Sequence, residues 1–408
     1  MRISTLSIYG NASSQINSLQ SALARTQQQL ATNRRVLTPA DDPVASARAL
    51  EVSQSKEMNS QFATNRSSAH SALATVEGAL NNAGSLIMDI QHLVVKAGNG
   101  AMLPSDREAL ATELEGRLED LLGVANSTDG AGGYLFSGYM ATTQPFARTP
   151  EGAGYQGDQG QRQLQVGASR RMPLSVSGSA VFEGGKSGNG TFQTQAAQDN
   201  RGTGVISSGS VTNRALAQAG GEYKLNFSVS DDIPAITTYD VIEIIDGVEV
   251  PRAPDQRYEA GKAITFEGMS FDIQGEPAHG DNFSVKPSER QSVFSTVTDL
   301  VAALRAPVDN PSDKAMLSNR LNRALDNIQS AHDNVLTMQA SIGAHMKELD
   351  YLDSAGDDLD IQYAATLSDL QDLDIVKAIS DFSMQQTTLQ AAQMSFKTMS
   401  GLSLFNYL

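Results

Sequence analysis

No cysteine occurs in the 408 residues, which excludes disulfide staples, thiolate nucleophiles and cysteine-ligated zinc together. A continuous apolar run long enough to cross a membrane is missing as well. The opening Met-Arg-Ile-Ser-Thr-Leu-Ser-Ile-Tyr-Gly lacks the apolar core of a cleaved secretory signal, so export by signal cleavage is not expected. Positive charge is scarce: 30 Lys and Arg stand against 46 Asp and Glu, a formal charge of −16. That is the wrong sign for a chain that must release counterions from phosphate, so neither nucleic acid nor membrane is expected as a partner.

Catalytic signatures are absent too. The five histidines, at 70, 92, 279, 332 and 345, never form a pair at helical spacing with a glutamate between them. There is no Gly-x-Ser-x-Gly elbow and no Gly-rich loop ending in Lys-Ser or Lys-Thr. Gly152-Ala-Gly-Tyr-Gln-Gly157 has dinucleotide-loop spacing, but Arg-Thr-Pro-Glu precedes it where a hydrophobic strand belongs, and it reads as a glycine-rich turn. Catalytic residues, cofactors and metals are all expected to be none.

What the sequence does contain is helical periodicity at both ends. Ile16, Leu23, Leu30 and Leu37 fall every seven residues, with Leu19 on the intermediate row and polar Thr26 and Asn33 further along it. This predicts a helix from about Ser13 to Leu37. Leu73, Val76, Leu80, Ala83, Ile87, Ile90 and Val94 form a second stripe, and Leu321, Ile328, Val335, Ile342 and Leu349 a third; these two are expected to pack on each other within one chain. Ile375, Phe382, Leu389 and Phe396 make the last stripe, with Gln386 and Gln393 assigned to its intermediate row as register-setting polar residues. The outermost stripes are too long and narrow to be covered by the middle of the chain, and are expected to pair with each other and with other copies.

Between about 130 and 290 the pattern turns to short alternating runs broken by Gly, Pro, Asn and Asp. Val241 to Ile245, Asp246-Gly247 and Val248 to Val250 predict a tight hairpin. Tyr223 to Val229, Ala263 to Glu267, Met269 to Ile273 and Asn282 to Lys286 predict further strands, whereas 184–221, rich in Gly, Ser, Asn and Gln, predicts long loops or weakly ordered strands. The fold class expected is α+β: long N- and C-terminal helices pairing as a coiled-coil bundle, with a β-rich middle inserted between them. The division expected is 1–40 with 365–408, then 41–178 with 290–364, then 179–289.

Thr38-Pro39-Ala40-Asp41-Asp42-Pro43 interrupts the first helical stretch. Adjacent carboxylates with no third oxygen ligand make a thin metal site. Proline belongs at a first helical position, Thr38 and Asp42 each stand where an N-cap does, and Asp41 sits three beyond Thr38 as in a capping box. The stretch is read as a helix break.

Several motifs together resemble the flagellin-like axial proteins of the bacterial flagellum: Met1-Arg-Ile-Ser-Thr5, Leu37-Thr-Pro-Ala-Asp-Asp-Pro43, Tyr134-Leu-Phe-Ser-Gly138, Gln144-Pro-Phe146 and Tyr155-Gln-Gly-Asp158. So do Gly275-Glu-Pro-Ala-His-Gly-Asp281, Gln339-Ala-Ser-Ile-Gly343 and Leu402-Ser-Leu-Phe-Asn-Tyr-Leu408. The resemblance implies a non-enzymatic structural subunit, exported unfolded by the flagellar type III apparatus, working outside the cell as a ring where hook meets filament. Its implied partners are itself, the adjoining hook-associated protein, flagellin, and an export chaperone for the C-terminal helix. Carried over by position, the inner-tube seam is Ile16, Leu19, Leu23, Leu30 and Leu37 with Ile375, Ile379, Phe382, Leu389 and Phe396. A filament subunit, or a secreted enzyme with a site in the β region, stands as the alternative.

Overall fold

The structure is a computed structural model that describes residues 5–99, 102–230 and 235–401. The opening Met1-Arg-Ile-Ser and the closing Leu402 to Leu408 motifs therefore lie outside the described residues. The chain begins with three helices, α1 (Thr5–Thr32), α2 (Pro43–Ala97) and α3 (Pro104–Ala125). Two short hairpins follow, β1 (Phe146–Thr149) with β2 (Gly152–Tyr155) and β3 (Gln163–Gln165) with β4 (Arg171–Pro173), then the short helix α4 (Gly178–Phe182). Next come β5 (Gly185–Lys186), β6 (Phe192–Ala196), β7 (Val205–Ile206), β8 (Ser210–Val211) and α5 (Arg214–Ala219). The remaining strands are β9 (Glu222–Val229), β10 (Thr237–Ile245), β11 (Val248–Arg257), β12 (Ile264–Phe266), β13 (Met269–Phe271), β14 (Ile273–Gln274), β15 (Asn282–Pro287) and β16 (Arg290–Gln291). Three helices close the chain: α6 (Val293–Arg305), α7 (Pro311–Gln371) and α8 (Ile375–Gly401). Long helices at both ends with a β-rich middle give the α+β architecture.

By internal contacts the chain divides into two compact units, residues 1–64 with 351–408, and residues 65–350. The division falls inside α2 and α7.

In the larger unit, the stripes of α2 and α7 meet antiparallel. Leu73, Leu80, Ile87 and Ile90 are buried on one helix, Ile328, Val335, Ile342 and Leu349 on the other. Polar pairs flank the seam: Gln339 Nε2 donates to Asn81 Oδ1 at 3.1 Å and Gln91 Nε2 to Gln329 Oε1 at 2.7 Å.

A second core is aromatic. Phe136, Phe146, Phe182 and Phe294 are all fully buried, with Phe146 and Phe294 ring centres 4.9 Å apart and Phe136 and Phe182 5.5 Å apart. Motifs seen in the sequence build its frame. Asp158 accepts from the Tyr139, Met140 and Gly160 amides at 3.0, 3.1 and 2.7 Å, and the Tyr155 hydroxyl lies 2.9 Å from the Phe136 carbonyl. Gly152, the first glycine of the dinucleotide-like match, turns the β1–β2 hairpin at φ 121, and a Cβ there would sit 2.8 Å from the Phe294 carbonyl. The match is thus a hairpin pressed on a helix backbone.

The third core belongs to the antiparallel five-stranded sheet β11-β10-β9-β15-β6, where Leu225, Phe227, Phe283 and Val285 are buried against Phe271 and Ile273. Its hairpin turns at Asp246 (φ 52) and Gly247 (φ 80), the left-handed pair that matches strand twist.

The expectation for 184–221 needs correcting in one respect. Its strands are short, but they are anchored by a row of polar side chains on α7 far away in sequence. Asn319 Oδ1 accepts from Ile206 N–H at 2.9 Å and Asn327 Oδ1 from Gly188 N–H at 3.0 Å. Ser330 Oγ accepts from Lys186 N–H at 2.9 Å, and just before the segment Asn334 Nδ2 donates to the Ala180 and Val181 carbonyls of α4 at 2.8 Å each. Buried polar groups satisfied in this way fix a backbone that has little apolar surface of its own.

Candidate functional site

In the smaller unit α1 and α8 lie antiparallel. Tyr9 meets Phe396 edge to face at 5.9 Å, and near the other end Thr26 Oγ1 reaches Gln385 Oε1 at 3.0 Å. On α1, Ile16, Leu19, Leu23 and Leu30 are half-buried. On α8 the covered row is Ala378, Phe382, Gln385, Leu389, Ala392 and Phe396, spaced alternately four and three. This is the coiled-coil period.

Three features of the predicted seam are corrected by this geometry. Helix α1 stops at Thr32, not Leu37, because Asn33 takes a left-handed conformation (φ 55), as Asn does just past a helix end. Leu37 therefore lies half-buried in the connecting segment. The intermediate row of α8 is set three residues after each main position rather than four, which puts Gln385 in the seam and leaves Gln386 and Gln393 exposed. The same offset takes Ile379 out of the covered row, at 55% exposure, while Ile375, on the main row but the first residue of α8, is 50% exposed. Thr26, placed on the intermediate row by the sequence, is 8% exposed, and Gln385 is its partner there.

The break itself is a hydrogen-bonded crossing. Arg35 N–H donates to the Gln371 carbonyl at 2.7 Å and its Nη2 to the Leu370 carbonyl at 2.7 Å, while Leu373 N–H donates to Asn33 at 3.3 Å. The gap between α1 and α2 is thereby tied to the gap between α7 and α8. Thr38, Pro39 and Ala40 form an exposed turn whose ends are held by Asp41, which accepts from the Leu37 and Thr38 amides at 3.0 and 2.9 Å and pairs with Arg25. Asp42 stands at the N-cap of α2: it accepts from Ala45 N–H at 3.0 Å and pairs with Arg35 at 3.1 Å, and Pro43 takes the first helical position.

These contacts have an acid-base consequence. The Thr38 amide, with the Leu37 amide and the Arg25 charge, holds the Asp41 carboxyl below the ordinary aspartate value; the Ala45 amide and Arg35 do the same for Asp42. A lowered folded-state pKa means that both contributions are complete above the unfolded value of about 3.9 and fade as pH falls through the folded one. Protection of the Leu37, Thr38 and Ala45 amides from exchange, relative to their intrinsic rates, is therefore expected to be lost only below about pH 4. Loss of that protection between pH 7 and 5 would contradict this account of the break.

Alongside the filled seam, α8 carries Ile375, Val376 and Ile379 with side chains at least half exposed, and Met384 and Met394 at 67% and 71%. Apolar side chains grouped in this way on a helix mark a surface meant for further packing. Among the described residues no group of three or more His, Cys, Asp or Glu is placed to hold a metal ion. His70 lies 4.0 Å from Asp350 and His279 accepts from the Val229 amide, and neither belongs to a cluster. No helix of the described residues is long and apolar enough to cross a membrane.

Comparison with known proteins agrees with this anatomy. The family model for the bacterial flagellin N-terminal helical region matches residues 3–141. Over 406 residues, 99% of each chain, the sequence is 28% identical to flagellar hook-associated protein 3 of Escherichia coli K12. The crystal structure of the flagellar junction protein FlgL from Legionella pneumophila superposes with a TM-score of 0.70 at 33% identity, covering 80% of this chain and all of that one. A flagellin of Salmonella derby is 29% identical over 113 residues, 28% of this chain and 22% of its own.

Proposed function

The chain belongs to the flagellar hook-associated protein 3 family and is a structural component of the bacterial flagellum, and from that premise we propose how it builds the junction between hook and filament. Copies associate side by side into a ring through their terminal helices. The α1–α8 seam, Ile16, Leu19, Leu23 and Leu30 with Phe382, Leu389 and Phe396, zips each subunit's own ends together. The outward Ile375, Val376 and Ile379 then meet the neighbouring copy.

The observation that carries this reading is the division of labour on α8, one face filled by α1 and an adjacent apolar group left open. A helix that buries only one narrow stripe gains little stability alone and gains more from a second contact. Thr26 and Gln385 set the register of the pair, at the cost of placing polar atoms in the seam. Leu37 and the Thr38 to Pro43 turn end the zipped segment. The domain division that goes with this reading is 1–40 with 365–408, 41–178 with 290–364, and 179–289.

The subunit works outside the cell and reaches its place unfolded through the flagellar type III apparatus, with a chaperone covering the C-terminal helix until release. Its immediate partners are the adjoining hook-associated protein on one side and flagellin on the other. No catalysis is part of the role. The Salmonella derby flagellin aligns over 28% of the chain and hook-associated protein 3 over 99%, which favours the junction over the filament body.

Deleting the gene should leave cells with complete hooks, no attached filaments, and flagellin shed into the medium. Electron micrographs showing normal filaments on the hooks of such a strain would rule the reading out.

A further inference from the structure

Helix α3 buries one face, Leu110, Ala111, Leu114, Leu118 and Leu121, yet the first position of that row is Arg107, only 8% exposed. Its Nε is enclosed without a hydrogen-bond partner, and among the described residues its guanidinium forms no ion pair. A buried cation without a counter-charge is destabilising unless something supplies one. Arg107 lines a cavity of about 340 Å³ enclosed by the end of α2, the start of α3 and the first turns of α7.

The other groups lining the cavity suit an anion. Lys314 brings a second positive charge, and Ser318 brings a hydroxyl. Pro104 places the positive end of the α3 dipole at the rim. The nearest acidic residues in sequence are already engaged: Asp106 accepts from the Leu103 amide, and Asp313 from the Asp309 and Asn310 amides. The carbonyls that end α2 are engaged as well, since Val94 and Val95 accept from Gly98 N–H at 3.1 and 3.2 Å. Met102, Val308, Leu317 and Leu321 supply apolar wall. The volume far exceeds the roughly 30 Å³ share of one water, so a bare ion would leave that wall uncovered.

We infer that this cavity binds a carboxylate carried on an aliphatic stem, with the carboxylate on Arg107 and Lys314 and the stem along the apolar wall. Such a group is offered either by a free diacid or by a glutamate side chain of another polypeptide.

The test is thermal unfolding of the purified full chain with glutarate, with N-acetylglutamate amide, or with chloride at equal ionic strength. Glutarate should raise the melting temperature by mass action. The concentration for half effect should rise about tenfold or more in Lys314→Ala, as expected for loss of one charged hydrogen bond. The response should vanish in Arg107→Met, a change from a buried charge to an apolar side chain that folds are known to accept. Equal protection by N-acetylglutamate amide assigns the natural occupant to a protein side chain, and protection by glutarate alone assigns it to a free diacid. If chloride protects as well as glutarate, or Lys314→Ala and Arg107→Met respond like the unmodified chain, no such site exists.

Discussion

Leu23→Asp or Phe382→Asp is expected to abolish filament attachment to the hook while leaving the β-sheet core folded. Both side chains are half-buried in the α1–α8 seam, where a new carboxylate must either lose hydration without a partner or force the helices apart. The aligned seam is the main support of both helices, and helices of this kind draw their stability from packing rather than propensity. The five-stranded sheet and its Phe227 and Phe283 core belong to the other compact unit and have their own buried surface. Purified variant protein should therefore retain its β circular-dichroism signal, and cells making it should show bare hooks in micrographs. Normal motility at normal expression would mean that the terminal pair is not the assembling element.

Phe294→Ala should cost about 3–5 kcal/mol of unfolding free energy, the range for removing a buried aromatic ring and leaving its cavity. The ring is fully buried, 4.9 Å from Phe146 and 5.6 Å from Phe182, on a helix whose backbone also abuts Gly152. Neighbours held on three sides cannot collapse into the space. Arg305, on the same helix, is tied to Glu115 and Glu108 of α3, and those carboxylates push its pKa further above the usual arginine range. Met384→Ala, at a side chain 67% exposed, is the control and should stay within about 0.5 kcal/mol. Denaturant midpoints at unchanged slope would measure both; a cost below about 1 kcal/mol for Phe294→Ala would show that the aromatic cluster is not a core.

Much of this fold was readable in the sequence because its causes are local. The α2 and α7 stripes repeat often enough to define a face, and Asp246-Gly247 encodes its own turn. Asp42 before Pro43 marks a helix start by side-chain chemistry that acts over three residues. What failed to show was set at a distance or by a single residue. Asn33 ends α1 by adopting positive φ, and in a heptad count it reads as just another polar position. On α8, rows three and four residues after Phe382 hold Gln385 and Gln386, and only the presence of Thr26 opposite decides between them. The order in 184–221 is supplied by Asn319, Asn327 and Ser330 across more than a hundred residues of chain. A glycine-rich segment carries no sign of such partners in itself. Arg107 was invisible for a similar reason, since its helical row is apolar at every later step and gives no hint that a cation opens it.

The proposal for the junction depends on both terminal helices being needed at once. Its most direct measurement is electron microscopy of cells whose chain ends at Leu373, so that α8 is gone while α7 and everything before it is retained. The account predicts finished hooks without filaments, and restoration when the full chain is supplied on a plasmid. Filaments of normal length and number on those hooks would contradict it.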